Sequence, residues 1–117
     1  MRPPIPARAR AKVLPLLERE TKPQIKRALT RCGWVAIPTP AGTAKRGGYT
    51  FRLAPAGFPD MVVLRPPGVV GFLEIKGTDG KLRPAQVKFM AWAKRNGFNC
   101  GAAWNGREAV EVVGGWT

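Results

Sequence analysis

Asp60, Glu74 and Lys76 are the residues whose types and spacing best suit them to chemistry. Asp60 opens one β-rich run, Asp60-Met-Val-Val-Leu64, and Glu74 and Lys76 close another, Val69-Val-Gly-Phe-Leu-Glu-Ile-Lys76. Between them, Arg65-Pro66-Pro67-Gly68 is a turn signal, so the two runs read as an antiparallel hairpin. A turn centred on Pro67 places Asp60 and Glu74, each seven residues away, directly opposite one another. Opposed residues share a face of the sheet, with Cβ atoms about 4.5–5.5 Å apart. Lys76 points to that same face, whereas Leu73 and Ile75 point to the other and can enter a core. Two carboxylates forced together repel, and a protonated carboxyl, a lysine or a divalent cation could each offset the cost. Hard oxygen ligands favour Mg²⁺ or Mn²⁺ over zinc. Such a cation can hold a phosphate oxygen and lower the pKa of a bound water. A lysine at the rim can touch the phosphate and position or deprotonate that water. These are the parts that phosphodiester hydrolysis needs. Glu-x-Lys alone is more often a solvated strand face and Pro-Asp more often a turn. Their combination carries the argument, in a chain whose acids are only Glu18, Glu20, Asp60, Glu74, Asp79, Glu108 and Glu111.

Composition narrows the field further. The 117 residues are 44% apolar, enough for one domain with one core. Twenty Lys and Arg against seven Asp and Glu give a net charge of +13, which points to a polyanionic partner, with nucleic acid foremost. Charge alone does not separate a catalyst from a non-specific, ribosome-like binder. With no histidine, Ser-His-Asp and Cys-His catalysis and histidine metal sites are excluded. Cys32 and Cys100 form no C-x-x-C motif, which argues against zinc, and small buried apolar roles are expected for both. No apolar run approaches bilayer length and the N-terminus lacks the apolar stretch of a secretory signal. A reducing, cytoplasmic setting is expected.

Several elements must position these residues. Residues 1–14 read as a basic arm, which either holds phosphate or is a solvated tail, and 15–117 as one domain. A helix in one or two pieces, interrupted at Pro15 and Pro23 and capped at Thr21, runs to Cys32 and stops at Gly33. Ile25, Leu29 and Cys32 recur on it at helical spacing. Trp34–Ile37 reads as a strand, Ala41–Gly48 as a polar, basic loop, and Tyr49–Leu53 as another short strand. After the hairpin and a Gly77–Gly80 loop, a helix spans Pro84 to Asn96-Gly97, with Gln86, Phe89, Met90 and Ala93 on one face. Cys100–Trp104 follows as a strand, and Asn105 caps a last helix over Arg107–Val112. Trp92, Trp104 and Trp116 are expected in the core. The order predicts a mixed α/β sheet layered with helices.

Gly57-Phe58-Pro59-Asp60 followed by Phe72-Leu73-Glu74-Ile75-Lys76-Gly77 resembles the PD-(D/E)xK nuclease motif. The detail is closest to its VRR-NUC branch, the virus-type replication-repair nuclease domain. Glu20 and Gln24 match that branch's early helix, Gly33-Trp34-Val35 its first strand, and Arg83-Pro84-Ala85-Gln86 the start of its helix after the lysine. The resemblance implies a restriction-endonuclease-like mixed sheet, core α-β-β-β-α-β, flanked by helices. It implies that Asp60, Glu74, the backbone carbonyl of Ile75 and Glu20 hold Mg²⁺ or Mn²⁺. Lys76 would be the catalytic lysine, and Gln86 would orient the lysine, a water or the phosphate. Gln24 would join the site or serve structure. Pro23 between Glu20 and Gln24 departs from the pattern and leaves Glu18 as the alternative to Glu20. The resemblance further implies a metal-dependent DNA endonuclease acting as a homodimer on branched DNA such as four-way (Holliday) junctions, in a bacterial or phage-infected cell.

Lys45, Arg46 and Arg52 in the insert Ala41–Ala56, with Lys81 and Arg83 beside the loop after Lys76, are the expected DNA contacts. The competing readings are a nicking or restriction-like nuclease and a non-catalytic nucleic-acid-binding module. RNA is the weaker substrate, because no predicted strand shows the aromatic stacking pattern of a single-strand RNA reader.

Overall fold

The computed structural model describes residues 21–40, 43–76 and 80–117. The basic arm, Pro15, Glu18, Glu20 and Asp79 lie outside them. Helix α1 is described over residues 21–31, with Ile25 and Leu29 fully buried on one side. It already includes Thr21, so Thr21 is not its cap, and Pro23 does not divide it. Proline's fixed φ is itself helical, so the ring is accommodated on the exposed side. The helix closes with Trp34 N–H donating to the Leu29 carbonyl (3.0 Å) and Gly33 N–H to that of Thr30 (3.1 Å), the paired bonds of a Schellman end. Cys32 falls beyond the last helical turn, which is why the spacing that suggested its burial fails and the residue is exposed. Cys100 is half-buried, its thiol 3.7 Å from the Met90 carbonyl.

Four strands form the main sheet in the order β1 (Val35–Pro38), β4 (Met61–Arg65), β5 (Val69–Ile75) and β6 (Asn99–Ala103). The first three are antiparallel, and β6 joins β5 in parallel after the crossover through α2 (Pro84–Arg95). Helix α3 (Gly106–Val113) follows, with the Asn105 side chain accepting from Glu108 N–H at 2.8 Å as its cap. The β4–β5 hairpin adopts the register expected from its turn, Met61 opposite Leu73 and Arg65 opposite Val69.

Between β1 and β4 the chain departs from expectation. Thr43–Arg46 is a strand, β2, and not a loop; it pairs with β3 (Tyr49–Arg52) in a separate two-stranded ribbon. The turn is Gly47-Gly48, with φ of +57° and +83°, and a two-residue hairpin of this kind needs positive φ at both positions. Thr-Ala-Lys-Arg has no apolar alternation, so only pairing with β3 makes it a strand.

Layering follows from the strand alternation. One face of the sheet (Ala36, Met61, Val63, Val69, Leu73) packs on Ile25 and Leu29 of α1, Ala109 and Val113 of α3, and Trp34 and Trp116. On the other face, Phe72 meets Phe89 of α2 edge-on at 5.4 Å, with Phe58 and Phe98 alongside. Trp116 is in the core as expected and Trp104 is half-buried, but Trp92 is 46% exposed. It lies at the margin of the inward face of α2 and covers itself by stacking on Phe98 at 5.5 Å. Among the described residues no helix is long and apolar enough to cross a membrane.

Gly71 sits beneath Trp116, where an added Cβ would run into the indole ring. Gly71→Ala should therefore destabilise the fold by about 1–3 kcal/mol through overpacking. Chemical denaturation would read this, and an unchanged midpoint would show that Trp116 does not close over β5.

Candidate active site

Strand β5 delivers Glu74 to the α2 side of the sheet at the end nearest β6's exit. Glu74 is 1% exposed. Asp60 lies one residue before β4, and where the ladder runs out its Oδ2 accepts from Ile75 N–H at 2.7 Å. The acid thus takes the place of the next backbone acceptor and is fixed by the strand that carries Glu74. Gln86, 4% exposed, joins the two acids. Its Nε2 donates to Glu74 Oε2 at 2.6 Å and to Asp60 Oδ2 at 3.3 Å. Its Oε1 accepts from Arg83 N–H at 2.9 Å, which fixes the amide so that its NH₂ faces the carboxylates. Gln86 reaches this position because Pro84 starts α2, leaving the side chain to fold back over the helix start. The positive end of the helix dipole faces the acids as well.

The backbone is matched to this contact. Gly57, three residues before Asp60, has φ +80°, and any Cβ there would collide with the Ala85 carbonyl. Only glycine lets the Pro59-Asp60 segment lie against the start of α2. Beside Asp60 opens a cavity of about 420 Å³, walled by Thr39, Thr43, Phe58 and Arg83 among others.

Burial pushes Glu74 up from the ordinary carboxylate range to about 8, and the charge of Asp60 adds to the rise. The bond from Gln86 and the Arg83 guanidinium oppose it. Glu74 Oε1 is buried with no hydrogen-bond partner. A buried acceptor left unmatched is costly, and this one lies beside a second carboxylate, Asp60. The residues therefore fit a hard divalent cation. Among the described residues no cluster of three or more Asp, Glu, Cys or His forms, so Asp60 and Glu74 are the acids available to it.

Lys76, just past β5, donates from Nζ to Glu108 Oε1 at 2.8 Å, and both side chains are one-third exposed. In the sequence Glu108 is only one of seven acids, and nothing local singles it out; in the structure it lies in the first turn of α3. The parallel pairing of β5 and β6 could have found it. Ile75 lies beside Ala103, so the helix that follows β6 must begin next to Lys76. Loops beyond the carboxyl ends of parallel strands are where such folds assemble sites.

The structure thus brings together Asp60, Glu74, Gln86 and the backbone of Ile75, with Lys76 and Arg83 at the edge. Gln24 is exposed on α1, its carbonyl beneath Gly106 at the start of α3. Lys45 and Arg46 lie exposed on the β2–β3 ribbon, and Lys81 and Arg83 are exposed before α2. Glu18 and Glu20 fall outside the described residues, as does the Arg52 side chain.

No protein-family profile matches the sequence, and no curated protein matches it. Among solved structures the chain is similar to one described as a VRR_NUC domain, with a TM-score of 0.61 and 19% identity over 86% of this chain and 97% of that one.

The position of Glu74 predicts a pH dependence. Its folded pKa lies above the value of 4.5 it has unperturbed, so the folded state holds the proton more tightly than the unfolded state. The contribution of Glu74 to the stability of the metal-free protein should be fullest below about pH 4.5 and decline as pH rises towards 8. Glu74→Gln should flatten that decline; thermal melts in EDTA across the range would show it, and an equally steep slope in the variant would remove Glu74 as the cause. The fold of this chain is that of a VRR-NUC domain.

Proposed function

We propose that this chain is a metal-dependent DNA endonuclease with its centre at Asp60, Glu74 and Lys76. The observation that carries the reading is buried Glu74 beside partly buried Asp60, the two bridged by Gln86, with one Glu74 oxygen left unmatched. Structural carboxylates are normally satisfied by donors, so a partly unsatisfied pair at the end of a strand, beside an open cleft, is arranged for a ligand. Likeness to a VRR_NUC domain supports the same reading.

Asp60, Glu74 and the Ile75 carbonyl would hold Mg²⁺ or Mn²⁺, with Glu20 added on the sequence pattern alone. When bound, the cation supplies charge neutralisation at the phosphate and an acidified water. The protein's own residues do the rest. Gln86 holds both carboxylates in place through its fixed amide. Lys76 meets the scissile phosphate as an ammonium, exchanging its bond to Glu108 for one to a phosphate oxygen, and orients the attacking water. Glu108 holds the ammonium until substrate arrives. Arg83, at the cleft and the start of α2, takes a flanking phosphate, and Lys45, Arg46, Arg52 and Lys81 extend the contact along the backbone.

Branched DNA, including four-way junctions, as substrate and a homodimer as the acting form belong to the same proposal. A two-fold dimer would present one centre to each of two strands. The half-exposed Trp92 and Phe98 pair is an apolar surface available for that association. The cytoplasm of a bacterial or phage-infected cell is the proposed setting.

Cleavage of linear duplex, single-strand, flap and four-way-junction DNA in Mg²⁺, Mn²⁺ or EDTA tests the reading. Wild type should cut only with metal, and Asp60→Asn should lose cleavage by at least about a hundredfold while still binding DNA, since loss of one stabilising group at such a centre typically costs that much. Cleavage by Asp60→Asn at the wild-type rate would remove the site assignment. Tight binding with no cleavage of any substrate would favour the non-catalytic binding module. Affinity should also fall steeply with salt, as released counterions require, and a flat response would count against the basic surface.

A further inference from the structure

The β2–β3 ribbon carries a surface that the cutting chemistry does not use. It pairs with no strand of the main sheet, and its cross-strand pairing defines what each face presents. Arg46 lies opposite Tyr49 and Ala44 opposite Phe51, so Arg46, Tyr49 and Phe51 share one face, while Lys45 and Thr50 share the other. Tyr49 is 78% exposed and Phe51 46%. Two aromatic rings held in water on a two-stranded ribbon contribute little to a fold, because such a ribbon gains stability only when its apolar face is covered.

The kind of partner follows from charge and spacing. From residue 21 to residue 59 the sequence contains seven Lys and Arg and no acid, so the ribbon and its surroundings select a polyanion. Rings together with cations suit a ligand with flat apolar faces on a negatively charged backbone, which describes a nucleic-acid strand. Tyr49 and Phe51 are two residues apart on one strand, hence about 6.6 Å apart along it. That is roughly twice the ~3.4 Å per-strand rise of stacked duplex bases. Rings so spaced match bases drawn apart on an unpaired strand. The ribbon also borders the candidate centre, since Thr43 of β2 and Asp60 line the same cavity.

We propose that the Arg46–Tyr49–Phe51 face binds unpaired DNA by base stacking and feeds it towards Asp60, so that the protein selects DNA in which a single-stranded segment joins a duplex. The selection rests on the nuclease reading of the cleft; the binding does not. Because β2 does not read as a strand from its sequence, the aromatic face is visible only once the ribbon is formed.

The experiment measures fluorescence anisotropy of wild type, Tyr49→Ala and Tyr49→Phe in EDTA, where no cleavage occurs. The probes are a labelled thymidine oligonucleotide, a blunt duplex, the same duplex with a single-stranded arm, and a uridine oligonucleotide. Tyr49→Ala should weaken binding to the thymidine strand and the armed duplex about tenfold, the order expected on losing one base–ring stack. Blunt-duplex affinity should change far less, and Tyr49→Phe, which keeps the ring, should restore most of the loss. A 2-aminopurine base in the arm should lose fluorescence on binding wild type and not Tyr49→Ala. Equal affinities of wild type and Tyr49→Ala for the thymidine strand would overturn the proposal. So would an equal loss on the blunt duplex, or a preference for the uridine strand. If Mg²⁺ supports no cleavage of any DNA while the Tyr49 difference persists, the nuclease reading fails and the binding surface stands.

Discussion

A carboxylate taken out of water beside a second carboxylate is tolerated only where donors surround the pair, and here the donors come from distant stretches of sequence. Ile75 N–H and Gln86 Nε2 both reach Asp60, and Gln86 Nε2 also reaches Glu74. Gln86 can serve both because the backbone of Arg83 fixes its carbonyl end. Each of these bonds constrains an element. The hairpin register, the start of α2 and the glycine contact at Gly57 must all be correct before the acids can be held together.

Topology makes that coincidence possible. The crossover from β5 through α2 to a parallel β6 puts the start of α2 over one side of β5 and the start of α3 beyond its end. Glu74 is then covered by Gln86 from α2, while Lys76 meets Glu108 from α3. Alternate residues at one strand end are thus assigned to different helices, and the lysine neutralises Glu108 of α3.

Much of this was legible in the residues. The symmetry of the turn around Pro67 specified the β4–β5 register whose end brings Asp60 beside Glu74, because register in a tight hairpin is set by its turn and by the burial of one face. Pro84 and Gln86 marked the start of α2, and Asn105 marked that of α3. What escaped depended on partners remote in sequence. Thr43–Arg46 is a strand only because Tyr49–Arg52 pairs with it. Glu108 gains its role only once β6 lies parallel to β5. Cys32 and Trp92 are exposed because burial is decided at the margins of a helix by its neighbours, where periodicity has no further information.

The aromatic layer under α2 has a mechanical consequence. Phe58 contacts both Phe72 and Phe89, and Phe58 lies two residues before Asp60 as Phe72 lies two before Glu74. Phe89 is one helical turn beyond Gln86. Each of the three polar groups is therefore tethered, at almost the same lever arm, to one ring of a single interlocked cluster. Thermal loosening of that cluster would displace all three together, so the centre should open and close as one cooperative unit and not by the independent wandering of its side chains.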